Sequence, residues 1–174
     1  MQKLYFIRHG QSVLNKQGLM AGTTETPLTE EGRQQASATG KHMKQSGVRI
    51  DFIVASPRSR AIETAQIIAK ELSLDPKKIH INDLFAERHY GELEGKPWSP
   101  DLNLDGMSDM ETEDTLIKRA HLALEWLENF ASHDSHVLVV SHGGFGRAFR
   151  SVVHKSFPLD YTFRIANAEL VELL

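Results

Sequence analysis

The sequence contains no cysteine among its 174 residues, which excludes disulfide bonds, zinc–thiolate sites and thiol nucleophiles. It also has no apolar run near the roughly 20 residues that a membrane-spanning helix requires. The first apolar block, residues 4–7, is shorter than the hydrophobic region of a signal peptide. From these absences we expect a cytoplasmic protein without a membrane partner.

Positive charge is not in excess either. The net charge is −3 and the isoelectric point is about 6.3, so the chain lacks the basic character of a nucleic-acid-binding protein. The hydrophobic fraction of 40% and the charged fraction of 25% are those of a soluble globular protein. A length of 174 residues without repeats or linkers predicts one domain that covers residues 1–174.

Apolar segments that suit strands alternate along the chain with amphipathic segments that suit helices. Strands are predicted at residues 4–7, 51–56, 79–81, 136–141 and 169–174, and helices at residues 29–46, 57–72, 114–131 and beyond residue 142. Residues 137–140 are all apolar, which indicates a strand covered on both faces. The alternation predicts an α/β fold with three layers, in which helices flank a mostly parallel central sheet.

Basic and polar residues follow three of these strands. The first strand ends in Arg8-His9-Gly10, the second in Ser56-Pro57-Arg58-Ser59-Arg60-Ala61, and the strand at 136–141 in Ser141-His142-Gly143-Gly144. Open α/β sheets bind ligands at the carboxyl ends of their strands. Arginine beside the free amides of a helix start is suited to phosphate. We therefore expect the three turns to meet at one edge of the sheet as an anion site.

Two further segments are rich in titratable groups. Glu87-Arg88-His89-Tyr90-Gly91 has neither helical nor strand periodicity, which favours an active-site loop. Residues 101–114 contain six acids and no base, which predicts a solvated or mobile loop.

The three strand-end motifs and the segment Glu87-Arg88-His89-Tyr90-Gly91 resemble, in their order along the chain, the motifs of the histidine phosphatase superfamily. This superfamily includes the cofactor-dependent phosphoglycerate mutases. The segment Pro27-Leu28-Thr29-Glu30-Glu31-Gly32 is also similar to the family. The resemblance covers nearly the whole chain. It implies a phosphoglycerate mutase-like fold, a small phosphorylated substrate, and chemistry that needs neither a metal nor a bound cofactor.

The resemblance also implies roles for individual residues. His9 is the expected nucleophile, and Arg8, Arg60 and His142 are expected to form a catalytic cup around the phosphoryl group. Neighbouring arginines disfavour the imidazolium form of His9 and neutralise the transferring phosphoryl group. Asn15 and Gly143 are expected to bind phosphate together with Arg8, Arg60 and His142. The predicted rim of the pocket consists of Arg88, Lys96 and Trp98.

Glu87 matches the general acid and base of the family, since one carboxyl group can protonate the leaving alkoxide and later activate water. We expect Phe85 to shield this carboxyl group partly from solvent. Glu92 and Glu94 remain alternative proton donors in the same segment.

Several functions remain open at this point. Hydrolysis of a small phosphomonoester is favoured, because only 55 positions separate Glu87 from His142, which leaves little chain for a lid. Glu87-Arg88-His89-Tyr90-Gly91 resembles the mutase form, so phosphoglycerate mutase-type transfer is the alternative. A non-catalytic phosphate or phosphoprotein binder would need neither His9 nor Glu87. A metallohydrolase is disfavoured, since no metal-binding histidine motif occurs in the sequence.

Overall fold

A five-stranded sheet forms the centre of the computed structural model, which describes residues 1–99 and 109–174. The strands in chain order are β1 (Lys3–Arg8), β2 (Phe52–Ala55), β3 (His80–Ile81), β4 (His136–Ser141) and β5 (Leu170–Glu172). Their spatial order is β3-β2-β4-β1-β5, and only β5 runs antiparallel to its neighbour. The predicted mostly parallel sheet is confirmed.

Five helices connect and cover the strands. They are α1 (Val13–Lys16), α2 (Glu30–Gln45), α3 (Ser59–Glu71), α4 (Glu113–Phe130) and α5 (Gly143–Val153). Single 3₁₀ turns occupy Pro76–Lys78, Asp83–Phe85 and Gly91–Leu93. The hydroxyl groups of Ser12, Thr29 and Thr112 accept backbone N–H groups at the starts of α1, α2 and α4, which explains where these helices begin. None of the helices in the described segments has the length and apolar character needed to span a bilayer.

Alternate side chains of the sheet face two different helical layers. Phe6 and Val139 pack in a cluster with residues of α4 and α5. Their chain neighbours Ile7 and Val140 pack on the opposite face, against α2 and α3. Because both faces are covered, the central strands are apolar throughout, as the sequence pattern predicted. The architecture has three layers.

Some predicted boundaries are wrong. The second long helix begins at Ser59 and not at Pro57, since Arg58 is still extended with φ −74° and ψ 136°. Its core-facing stripe contains Ala61 and Thr64, whereas Ile62 is only half-buried.

The prediction of a solvated loop over residues 101–114 is also wrong at its end. Residues 113 and 114 form the first turn of α4, where acids favour the positive end of the helix dipole. The Glu111 carboxylate forms an ion pair with Arg119 at 2.7 Å, and its side chain is only 11% exposed. Residues 101–108 lie outside the described residues.

Candidate active site

Three parallel strands bring their carboxyl ends together. Arg8, the last residue of β1, pairs with Ser141, the last residue of β4. The ladder continues beyond the strands, since the amide of His9 donates to the Ser141 carbonyl at 2.8 Å and the amide of Ser56 donates to the Val140 carbonyl at 3.0 Å. The His9 and His142 rings consequently lie 5.0 Å apart, centroid to centroid. The prediction that these strand ends open onto one edge is confirmed.

The imidazole of His9 is 3% exposed and is held in one orientation. Its Nδ1 lies 2.7 Å from the Gly10 carbonyl oxygen, which can only accept, so Nδ1 carries the proton. The Nε2 lone pair is then free to accept, and the Nε of Arg60 donates to it at 3.2 Å. Burial, followed by the charges of Arg60 and Arg8, holds the pKa of His9 well below its ordinary value. The ring is therefore neutral at pH 7, with Nε2 unprotonated.

Arg60 is almost fully buried beside His9. Its two terminal nitrogens donate to the Thr24 and Gly22 carbonyls at 2.9 and 2.8 Å. On the next turn of α3, the Thr64 hydroxyl donates to the Arg60 carbonyl and accepts from the Gly10 amide, at 2.7 and 3.0 Å. Burial lowers the pKa of Arg60, but an arginine remains charged at neutral pH. These contacts aim a fixed positive charge at His9 Nε2.

Glu94 holds the loop of residues 22–24 against this arginine. Its carboxylate accepts hydrogen bonds from the amide and the hydroxyl of both Thr23 and Thr24, and from the Tyr90 amide, at 2.5 to 3.2 Å. Burial alone would raise the pKa of Glu94, but these hydrogen bonds outweigh it and lower the pKa. An acceptor committed to five donors is poorly suited to deliver a proton to a leaving group, so its placement favours a structural role over the alternative of general acid.

Arg8 and His142 each carry a buried side-chain nitrogen without a partner among the described residues. Arg8 donates from Nη1 to the Ile165 carbonyl at 3.0 Å, whereas its buried Nε is unpaired. The Nε2 of His142 lies 2.7 Å from the Ser56 hydroxyl, and its buried Nδ1 is unpaired. Burial, then Arg60, His9 and Arg8, lower the pKa of His142, so this ring is also neutral. His142 is fully buried beside His9 and does not line the cavity surface.

Glu87 lies across the cavity at the start of α5. Its carboxylate accepts from the amides of Gly144 and Phe145 at 3.1 and 2.8 Å, and from its neighbour Arg88 at 2.8 Å. Phe85, the residue expected to shield it, packs its ring into the core against Trp126, Phe145 and Phe149. Helix amides, rather than an aromatic ring, therefore position the carboxyl group.

Asn15 also faces the cavity. Its side-chain oxygen accepts from the Ser12 amide at 3.3 Å and from the Asn167 side chain at 3.2 Å. Asn167 in turn donates to the His9 carbonyl at 2.9 Å. With the oxygen of Asn15 engaged, its amide nitrogen is the group left to contact a ligand.

The cavity above His9 has a volume of about 390 Å³. The predicted residues that line it are Arg8, His9, Asn15, Arg60, Glu87, Trp98 and Gly143. The rim assignment is wrong for Arg88, which is buried and donates to the Glu111 carbonyl at 2.9 Å. Lys96 is exposed and does not line the cavity either.

Sequence reasoning assigned no role to four of the polar side chains that line the cavity, namely Tyr90, Arg147, Arg164 and Asn167. The sequence position of Arg147 could have indicated its place in the site, because it lies in the first turns of a helix that follows a strand-end histidine. Arg164 lies 22 positions beyond His142 in an irregular segment, where no periodicity indicates its direction. Among the described residues, no group of histidine and acidic side chains is arranged to hold a metal ion.

Two curated phosphoglycerate mutases are similar to parts of this chain. A 2,3-bisphosphoglycerate-dependent phosphoglycerate mutase of Staphylococcus haemolyticus is 38% identical over 95 residues, which is 55% of this chain and 42% of that protein. A phosphoglycerate mutase of Candida albicans is 36% identical over 115 residues, or 64% of this chain and 45% of that protein. The chain thus spans less than half the length of the curated relatives it matches.

A solved structure is similar over nearly the whole fold. It is a phosphoserine phosphatase from Entamoeba histolytica in complex with 3-phosphoglyceric acid, which is 27% identical with a TM-score of 0.81. The similarity covers 99% of this chain and 90% of that chain. Residues 4–174 match the family profile of the histidine phosphatase superfamily, branch 1. With the paired histidines at the ends of β1 and β4 and the buried Arg60 beside them, this chain belongs to the histidine phosphatase superfamily.

Proposed function

We propose that this protein hydrolyses small phosphomonoesters through a covalent phosphohistidine on His9. One observation carries the proposal: the His9 ring is neutral, with its Nε2 lone pair directed at the Arg60 guanidinium. A phosphoryl oxygen that takes over the Arg60 hydrogen bond would bring phosphorus next to the nucleophile.

The first step forms the N–P bond between Nε2 and phosphorus while the P–O ester bond breaks. The electron pair of that bond leaves on the alcohol oxygen, which takes a proton from the Glu87 carboxyl group. Arg8 Nε, which is unpaired among the described residues, supplies a donor for the phosphoryl oxygens together with Arg60 and Asn15. Loss of one such preorganised donor costs about 100- to 1000-fold in kcat.

In the second step water attacks phosphorus, the N–P bond breaks, and the Glu87 carboxylate takes the proton from water. Neutral His9 and inorganic phosphate result, so one carboxyl group serves both steps. The amides that hold Glu87 belong to α5, which starts one residue after His142. The acid and the phosphoryl site therefore share one rigid support.

Hydrolysis is favoured over mutase-type transfer by the spacing within the chain. Of the 55 positions between Glu87 and His142, 18 belong to α4 and six to β4, which leaves little length for a cover that excludes water. The phosphatase from Entamoeba histolytica, similar over 90% of its length, is a relative with matching dimensions.

Phosphoglycerate mutase-type transfer remains the second candidate. It is favoured by Glu87-Arg88-His89-Tyr90-Gly91 and by the 38% identity with the mutase of Staphylococcus haemolyticus.

The test is a rapid-quench mass measurement without added metal, using 4-nitrophenyl phosphate and alkyl phosphates. We expect a transient gain of one phosphoryl group, followed by free phosphate, and neither in His9→Ala. A phosphoryl group that persists in water and passes to phosphoglycerate would replace the hydrolase with the mutase. Binding of phosphate without any turnover would contradict both and leave a phosphate-binding protein.

A further inference from the structure

The side chain of Asn167 connects the backbone of the nucleophile to Asn15. Its Nδ2 donates to the His9 carbonyl at 2.9 Å and to the side-chain oxygen of Asn15 at 3.2 Å. The orientation of Asn15 is fixed independently, because its oxygen also accepts the Ser12 amide in the cap of α1. Two acceptors therefore face the same atom of Asn167, which must be its nitrogen. Both hydrogens of this NH₂ group are used within the site, although Asn167 has no part in the two chemical steps described above.

The backbone next to Asn167 adopts a conformation that is unfavourable for a residue with a side chain. Ala168 is buried and has φ 57°, in the left-handed region that residues with a Cβ seldom occupy. In the described part of the chain, the other non-glycine residues with positive φ are Ser73 and Lys155. Each of these follows the end of a helix, where a left-handed residue is common. The residues directly before Ala168 form no helix, so its conformation requires a different explanation.

Hydrogen bonds from two neighbouring elements hold Ala168 in this conformation. Its amide donates to the Arg8 carbonyl at 2.9 Å and to the His9 carbonyl at 3.3 Å. Its own carbonyl accepts the hydroxyl of Thr39, on α2, at 2.7 Å. Strained backbone of this kind persists where surrounding contacts enforce it, and it is concentrated at functional sites. The end of β1 and helix α2 thus fix the turn that places the Asn167 amide against the backbone of the nucleophile.

We propose that Asn167 is a positioning residue of the phosphoryl site, which orients the Asn15 amide towards the phosphoryl group and fixes the backbone of His9. The inference rests on the proposed function and adds to it a residue that acts through other residues. Because the Asn15 oxygen is held by the amides of Asn167 and Ser12, the NH₂ group of Asn15 is the part that a phosphoryl oxygen meets. Without Asn167, one of these two hydrogen bonds is lost, and a preorganised donor becomes a mobile one.

The experiment removes the Asn167 amide and measures kcat/KM with 4-nitrophenyl phosphate, whose leaving group needs no proton. Asn167→Ala deletes the amide, and Asn167→Leu deletes it while the branched shape of the side chain is kept. We expect each variant to lower kcat/KM about tenfold, because a misplaced phosphate-binding group stabilises the transition state less. The matched control is Asn82→Ala, which should leave kcat/KM unchanged. Asn82 is also half-buried and its oxygen accepts the Leu84 amide at 2.9 Å, but it does not line the cavity.

A double-mutant cycle with Asn15 distinguishes positioning from packing. If Asn167 acts through Asn15, its replacement has less effect once Asn15 is already alanine. In the Asn15→Ala background we therefore expect Asn167→Ala to lower kcat/KM by at most about threefold, through the remaining contact with His9. Two losses that multiply would show that the asparagines act independently and would overturn the inference. Full activity of Asn167→Leu, or an equal loss of activity in Asn82→Ala, would also overturn it.

Binding of inorganic phosphate separates this inference from the proposed function. Calorimetric titration of the wild type, the two single alanine variants and the double variant measures the coupling between Asn15 and Asn167 without turnover. If the wild type hydrolyses no phosphomonoester while the coupling persists in phosphate binding, the positioning role stands and the hydrolase fails. If turnover occurs on His9 but neither kcat/KM nor phosphate binding shows the coupling, the hydrolase stands and the positioning role fails.

Discussion

Replacement of Glu94 by glutamine is expected to weaken catalysis although this side chain contacts no reacting atom. Glu94 holds Thr23 and Thr24, whose loop provides the carbonyls of Gly22 and Thr24 that fix Arg60. A glutamine retains one acceptor oxygen. Placed where it keeps the Thr23 and Tyr90 amides, it turns an NH₂ group towards the Thr24 amide, which then loses the carboxylate but keeps the Ala21 carbonyl at 2.8 Å.

The structure allows the magnitude to be worked out. Loss of one hydrogen bond from an amide at an exposed residue costs about 1 kcal/mol, and loss of the negative charge weakens the remaining hydrogen bonds by about as much again. We therefore expect the free energy of unfolding to fall by about 2 kcal/mol, measured by urea denaturation with the fluorescence of the two tryptophans. Loosening of Arg60 should lower kcat about tenfold, a part of what complete loss of such a donor costs.

The assay separates a positioning role from proton donation by changing the leaving group. The 4-nitrophenolate anion leaves without a proton, whereas an alkoxide needs one. Glu87→Gln should therefore lower kcat/KM, which reports the formation of the phosphohistidine, far more for alkyl phosphates than for 4-nitrophenyl phosphate. Glu94→Gln should lower kcat/KM equally for both, because Arg60 acts on the phosphoryl group. Glu92→Gln, an exposed position on the same turn, is the control and should change neither. A loss in Glu94→Gln confined to alkyl phosphates would make Glu94 the proton donor and refute the reasoning.

Three further predictions concern stability and packing. His9 and His142 stay neutral in the fold but take up protons near pH 6.5 when unfolded. The free energy of unfolding should therefore fall below that pH, by about 2 kcal/mol for each ring at about pH 5. Urea denaturation measures this fall, and His9→Asn should remove half of it. Gly144→Ala places a Cβ 2.7 Å from the Glu87 carboxylate, which must then shift. Because of this shift, kcat for alkyl phosphates should fall about tenfold or more. An unchanged kcat would contradict the assigned geometry. Gly40→Ala places a Cβ 2.8 Å from that of Glu71, and should cost about 1 kcal/mol in urea denaturation while kcat is retained.

The sheet and its reacting edge could be predicted because they depend on local patterns. An unbroken apolar run such as residues 137–140 has a stable position only between two layers, and a polar residue after such a run must lie at the sheet edge. His9, Ser56 and His142 were therefore correctly brought together. The start of α2 was predictable for the same reason, since Thr29 caps it through a hydrogen bond within one turn, whereas the Thr112 cap of α4 was missed.

The rim of the cavity could not be predicted, because its side chains are directed by contacts from distant parts of the chain. Arg88 follows Glu87 directly, yet the Glu111 carbonyl, 23 positions later, turns its guanidinium away from the cavity. Arg164 is oriented by Trp98, 66 positions earlier. Neither contact leaves a period or a motif in the sequence, and arginine is suited equally to a surface, an ion pair or a ligand site.

The charged side chains of the site differ in how firmly the fold holds them. Buried Arg60 next to His9 is electrostatically costly, and the fold offsets this cost with the Gly22 and Thr24 carbonyls and with Glu87 across the cavity. Because these partners belong to the folded frame, the phosphoryl site is organised before a substrate arrives, as electrostatic catalysis requires. Arg164, by contrast, is exposed, and within residues 1–99 and 109–174 its guanidinium contacts the Trp98 ring on the cavity wall. We therefore expect substitutions of Arg147 and Arg164, which line the cavity, to change substrate choice, whereas substitutions of His9 and Arg60 should abolish the reaction for every substrate.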